Sequence, residues 1–145
     1  MRIMVADRQA KVRFALRTLL GRQKGLEVVG EADTREELLA RVEASCPDLV
    51  LLHWRLSGGG EDLLPALRRI RPGLRVIVLS ARPEACGEAM LAGADAFVSK
   101  MDNPEKLLAA IESVRSEDGH RRPQRQRPPE DLAEPVAPEG RRTLG

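Results

Sequence analysis

Aromatic side chains are scarce in this sequence: Phe14, Phe97 and Trp54 are the only three in 145 residues, and tyrosine is absent. The core must therefore be built from Leu, Val, Ile and Ala. Cysteine is nearly as rare. Cys46 and Cys86 have no metal-type spacing and no second pair, which excludes a disulfide framework and a zinc module and leaves two small reduced side chains. No uncharged run approaches the length of a membrane span. Residues 1–5 enter an apolar strand directly, with no export signal, so a cytoplasmic protein is expected. Charge of one sign is lacking too: 24 basic against 22 acidic residues leave a net +2, which demands neither nucleic acid nor an anionic membrane as partner.

What is present is a repeat of apolar strand and amphipathic helix. PDLVLLHWRLSGGG, residues 47–60, is the centre of the pattern. Residues 49–52 form an apolar run too short for a buried helix; between Pro47 and the glycines it reads as a strand buried on both faces of a parallel sheet. The other strands fall at 3–6, 26–30, 75–79 and 96–99. Between them, helical spacing spans 8–20 (Val12, Phe14, Ala15, Leu16, Leu19 and Leu20, with Gly21 as a stop). A second helix is capped by Thr34, with Glu37 three residues on as in a capping box. A third covers 61–70, with Leu63, Leu64, Leu67 and Ile70 facing inward and Pro65 tolerated in its first turns. A short fourth covers 83–91, and the last opens at Asn103-Pro104 and runs inward through Leu107, Leu108, Ile111 and Val114.

Five such repeats with right-handed crossovers predict an α/β fold, a five-stranded parallel sheet covered on both faces. Chemistry in open α/β sheets lies beyond the carboxyl ends of the strands. That edge gathers Asp7, Arg8, His53, Ser80 and Lys100, with Trp54 flanking. From residue 117 the composition changes: half of the ten prolines and six arginines share residues 117–145 with three bulky apolar side chains. The expected division is a domain over 1–116 and a disordered Pro/Arg-rich tail over 117–145, with no room for a helix-turn-helix module.

The segments IMVADRQAKVRFALRTLL, PDLVLLHWRLSGGG, VIVLSA, AGADAFVSK and NPEKLLAAI together resemble the receiver domain of bacterial two-component response regulators, closest to the type that precedes LuxR-like DNA-binding domains. The resemblance covers about 2–114 and implies a flavodoxin-like (βα)5 fold with strand order 2-1-3-4-5. In that family an acidic pair and a third-strand aspartate hold a divalent cation, and the aspartate takes phosphate from a histidine kinase. A Ser or Thr and a Lys contact the phosphoryl group, and a fifth-strand aromatic reports the state. The resemblance carries the first acid to Asp7, the hydroxyl to Ser80, the lysine to Lys100 and the switch aromatic to Phe97. It breaks at two positions: Arg8 stands at the second acid and His53 at the phosphoacceptor.

Both departures oppose the family chemistry. A hard cation such as Mg²⁺ needs several oxygen ligands, and one carboxylate with an added guanidinium does not supply them. Metal binding is expected to be lost or very weak, and phosphoryl transfer with it. An Arg8–Asp7–Lys100 cluster is expected in place of the metal, with His53 beside it. Cationic neighbours lower a histidine's pKa and Asp7 raises it, so its charge stays open. His53 with one aspartate is a poor zinc site, and Gly58–Gly60 lacks the Gly-Lys-Ser/Thr of a phosphate loop. Ser80 and Lys100 lack an oxyanion arrangement, so no enzyme activity is expected.

The expected protein is a stand-alone atypical receiver, a pseudo-receiver. It would act on a protein partner or as a homodimer through the fourth helix, fifth strand and fifth helix, without cofactor, with a small ligand in the old pocket left open. The alternatives are a phosphorelay receiver phosphorylated at His53, and a nucleic-acid-associated protein using the arginine-rich tail. Six acids balance the six tail arginines, which favours a solvated linker over the last.

Overall fold

The computed structural model describes residues 1–56, 62–100 and 102–125, with side chains through residue 116. The chain divides into two units, Met1–Val114 and Arg115–Gly145. The order is β1 (Arg2–Ala6), α1 (Ala10–Gly21), β2 (Glu27–Ala32), α2 (Arg35–Ser45), β3 (Leu49–His53), α3 (Leu63–Ile70), β4 (Arg75–Ser80), α4 (Ala85–Leu91), β5 (Ala96–Ser99) and α5 (Pro104–Arg125). All strand pairs are parallel, in the sheet order β2-β1-β3-β4-β5. The order reverses direction between β1 and β3, so the carboxyl ends of these two strands flank the crevice in which such sheets place their sites.

The strands are apolar without interruption because both faces are covered. Leu49, Val50, Leu51 and Leu52 of β3 are wholly buried. Alternate residues feed two cores. Met4, Val50, Leu52, Val76 and Val78 pack with Leu38, Val42, Leu64 and Leu67 of α2 and α3. Ile3, Val5, Leu49, Leu51 and Ile77 pack with Leu20, Leu107, Ile111 and Val114 of α1 and α5. Each such side chain contributes about 1.5–3 kcal/mol against its exposure in water.

Local signals act largely as read. Thr34 Oγ1 accepts the Glu37 amide at 3.1 Å. Glu37 Oε1 reaches back one residue beyond the cap, accepting the Asp33 amide at 3.0 Å. Asn103 Oδ1 likewise accepts from the Lys106 amide. Gly21 lies inside α1, not beyond it, and the left-handed turn is made by Gly25 at φ 82°. The first helix begins at Ala10, because the Asp7 carboxylate takes the Gln9 amide and holds Arg8 in a turn.

Ile70, expected to face inward, is 37% exposed at the end of α3, and Phe14, one of the apolar positions at helical spacing in α1, is 62% exposed and lies under the Arg17 guanidinium 5.8 Å away. The division after Val114 lies close to the expected boundary at residue 117, while α5 is helical to Arg125, into the stretch expected to be disordered. Nucleation is the costly step in a helix, and α5 has made it at Pro104, so adding turns costs little. The remainder of the expected tail, the start of the third helix at Glu61 and the Gly58–Gly60 loop lie outside the described residues. Among those described, no helix is long and apolar enough to cross a membrane.

Candidate functional site

Asp7 leaves β1 as a buried carboxylate, 2% exposed, and both of its oxygens are engaged. Oδ1 accepts the Gln9 amide at 2.9 Å, and Oδ2 accepts from Lys100 Nζ at 2.6 Å. Lys100 is brought there by the end of β5, where its amide donates to Ser80 O. The expected Asp7–Lys100 pair therefore forms across 93 positions of sequence. Arg8 does not join it. Its side chain is exposed, and among the described residues it pairs with no carboxylate. The guanidinium that does approach is Arg13, which donates to the Asp7 backbone carbonyl at 2.6 Å and pairs with Glu31.

His53 is the last residue of β3 and lies opposite Leu79 of β4. Its Nδ1 is 3.9 Å from Asp7 Oδ2, beyond hydrogen-bond reach, and is buried without a hydrogen-bond partner. Burial holds the imidazole pKa below its ordinary value. The Lys100 ammonium and the Arg55 guanidinium add to this, while Asp7 and the Leu79 backbone oppose it. The balance of these effects holds the His53 side chain toward its neutral form.

Ser80 is buried at 1%, and its Oγ accepts the Arg82 amide at 3.1 Å, so the hydroxyl shapes the turn after β4. Phe97 is half-buried against the core beneath α2, α3 and α4, on the opposite face of the sheet from Val98. Trp54, which follows His53, packs into the core. It is 3% exposed within that same core, and its Nε1 donates to Glu88 of α4 at 3.1 Å. This bond ties the residue after His53 to the fourth helix.

A cavity of about 520 Å³ opens here, lined by Asp7, Arg8, Gln9, His53 and Arg55. Asp7 is its only carboxylate among the described lining residues. Gln9 and Arg55 were not singled out from the sequence; Arg55, two positions after His53, could have been found by following the same loop. Among the described residues, no group of three or more His, Cys, Asp and Glu side chains is placed to hold a metal.

The sequence profile of the response regulator receiver domain matches residues 3–112. Relatives include the DNA-binding transcriptional activator DevR/DosR of Mycobacterium tuberculosis, 37% identical over 116 residues, a stretch covering 78% of this chain and 54% of that protein. The response regulator UvrY of Escherichia coli is 31% identical over 117 residues, covering 79% of this chain and 54% of that one. The chain thus spans about half the length of these relatives. Among solved structures, a CheY-like response regulator receiver domain protein from Methanospirillum hungatei superposes with a TM-score of 0.72 at 30% identity, over 82% of this chain and 96% of that one. A LuxR-family two-component response regulator from Aurantimonas gives 0.72 at 27% identity, over 83% and 96%. By its matched profile, strand order and relatives, this chain belongs to the response regulator receiver domain family of two-component signalling.

Proposed function

We propose that this receiver works without an aspartyl phosphate and without resident Mg²⁺, and that it signals by protein contact through α4, β5 and the start of α5. One observation carries the reading: the Lys100 ammonium sits 2.6 Å from Oδ2 of Asp7, the one carboxylate in the described pocket lining. Mg²⁺ demands near-octahedral oxygen ligation at about 2.0–2.1 Å. The donor set here is one neutralised carboxylate and an imidazole, with two guanidinium groups nearby, and it does not fit that ion. His53 offers no oxygen to form an acyl phosphate. The proposed contact face has the exposed apolar side chains of Met90 (45%) and Leu91 (91%) on α4.

Ser80 is buried and committed to its turn, which supports a signalling and not a catalytic role. Phosphorylation of His53 by a histidine kinase is the weaker reading, since one ring nitrogen is buried near Asp7 and, among the described residues, no group of three or more His, Cys, Asp or Glu side chains stands there to hold a metal. Acid-labile phosphate found by mass spectrometry after phosphodonor treatment would reinstate it.

The test of the main reading is Trp54 fluorescence during titration with Mg²⁺ and then beryllofluoride. Trp54 is the sole tryptophan and adjoins His53. A flat response from protein shown folded by circular dichroism is expected. A saturable change with Mg²⁺ at millimolar concentration would overturn the reading. The double variant Arg8→Asp/His53→Asp, which restores two carboxylates, is expected to regain a Mg²⁺ response.

A further inference from the structure

We propose that the cavity at the carboxyl edge of the sheet is an anion site, which takes the phosphate group of a small molecule reversibly between Arg8 and Arg55. The inference rests on the reading above, that the pocket assembles no metal and no phosphoacceptor.

The argument is one of uncompensated charge in a shaped space. The cavity of about 520 Å³ has the volume of an ordinary small-molecule site, which runs to roughly 300–1,000 Å³. Its single described carboxylate is committed: Asp7 is 2% exposed and gives its oxygens to Lys100 Nζ and the Gln9 amide. The Asp7–Lys100 pair contributes no net charge. Arg8 and Arg55 both line the cavity, both are exposed, and among the described residues neither meets a carboxylate. Arginines elsewhere in this fold are commonly satisfied. Eight of them, Arg13 and Arg68 among them, stand within ion-pair distance of an acid. Among the described residues, Arg8 and Arg55 differ in lining one cavity together without an acid partner.

The backbone adds to the field. Helix α1 starts at Ala10, its N-cap Gln9 lines the cavity, and the Gln9 side chain makes no capping bond, the Gln9 amide alone being taken by Asp7. Its first-turn amides and the positive end of the helix dipole favour an anion there. Guanidinium forks match phosphate oxygens bidentately, with charge-assisted bonds about twice as strong as neutral ones. Two guanidinium charges suit a phosphate dianion better than a monocarboxylate. No covalent step is involved, so neither a nucleophile nor a metal is required.

Isothermal titration calorimetry of the full chain with inorganic phosphate in chloride-poor buffer tests the proposal, with Mg²⁺ titrated separately. Saturable phosphate binding with a Kd on the order of 1 mM is expected for so small a probe. Arg8→Ala and Arg55→Ala are each expected to weaken it roughly tenfold, the loss of a charge-assisted contact, while Arg22→Ala at the far end of α1 leaves it unchanged. Adenosine monophosphate binding more tightly than inorganic phosphate would assign a phosphate ester as the natural ligand, and equal affinity would assign free phosphate; both uphold the site. Failure to saturate, insensitivity to the two arginine variants, or equal binding of citrate or chloride would overturn it. If phosphate and Mg²⁺ are both silent, the anion site alone fails. If Mg²⁺ binds, the reading it rests on fails as well.

Discussion

His53 shows how one side chain bears on the electrostatics of a whole pocket. An aspartate at the end of β3 would add an oxygen ligand to a site already holding Asp7. The imidazole adds none, and its own charge is suppressed by burial and by Lys100 and Arg55. The consequence for folding has a definite sign. With its folded-state pKa below the ordinary 6.5, His53 binds fewer protons in the native chain than in the unfolded one between these two values. Stability therefore rises with pH through that window and levels off above about 6.5. Urea midpoints measured from pH 5.5 to 8 are expected to show this slope, and His53→Gln is expected to flatten it. His120, the only other histidine, is untouched by that variant. The direction of this shift was not legible in the chain, because Asp7, Arg55 and Lys100 pull the His53 pKa in opposite directions until distances decide which wins.

The helices show how much of their making is local. In α2 the Thr34 and Glu37 side chains satisfy two backbone amides at once, and the Glu37 carboxyl is held down to about 2 by its bonds to Asp33 and Arg41. Thr34→Ala removes one of these acceptors and is expected to cost about 1 kcal/mol, read as a lower urea midpoint with unchanged slope. That cap was visible in the sequence because its partners are three residues apart. The end of α5 was not. Composition alone argued for a domain boundary near residue 117, close to the division after Val114, but did not show that a helix nucleated at Pro104 continues to Arg125. The bond made by Trp54 was not legible for a related reason: it immediately follows a strand, and only the packing of α4 supplies the Glu88 carboxylate for its indole N–H.

Across the whole sheet, one ionic cluster joins elements that are distant in sequence. Asp95, just before β5, accepts from Arg68 Nη2 at 2.7 Å, from Arg75 Nη1 at 3.2 Å and from the Val76 amide at 2.8 Å. Arg68 also donates to the carbonyl of Gly93, whose φ of 107° turns the chain from α4 into β5. Arg75 is 2% exposed, so Asp95→Ala leaves a buried guanidinium without this carboxylate and is expected to cost about 3–5 kcal/mol, measurable by chemical denaturation. The cluster went unread in the sequence, although an acid inside the otherwise apolar AGADAFV was a signal. The opposite case is Leu91, 91% exposed on α4. Leu91→Glu is expected to change stability by less than about 0.5 kcal/mol while abolishing association through the α4 face, checked by pairing denaturation with light scattering or partner pull-down.

The alternation of buried apolar runs with helical periodicity determined, from the sequence alone, five parallel strands covered on both faces. Their connection lengths and handedness left few other topologies. The same reading located the edge where Asp7, His53, Ser80 and Lys100 meet, because strand ends are set by where apolar runs stop. Tertiary structure decided what those side chains do to one another. Asp7 and Lys100 meet across 93 positions, whereas the adjacent Arg8 turns away and lines the cavity with Arg55. Periodicity governs which face a residue takes, but charge pairing depends on distances of a few ångströms between strands, and only the assembled sheet sets those.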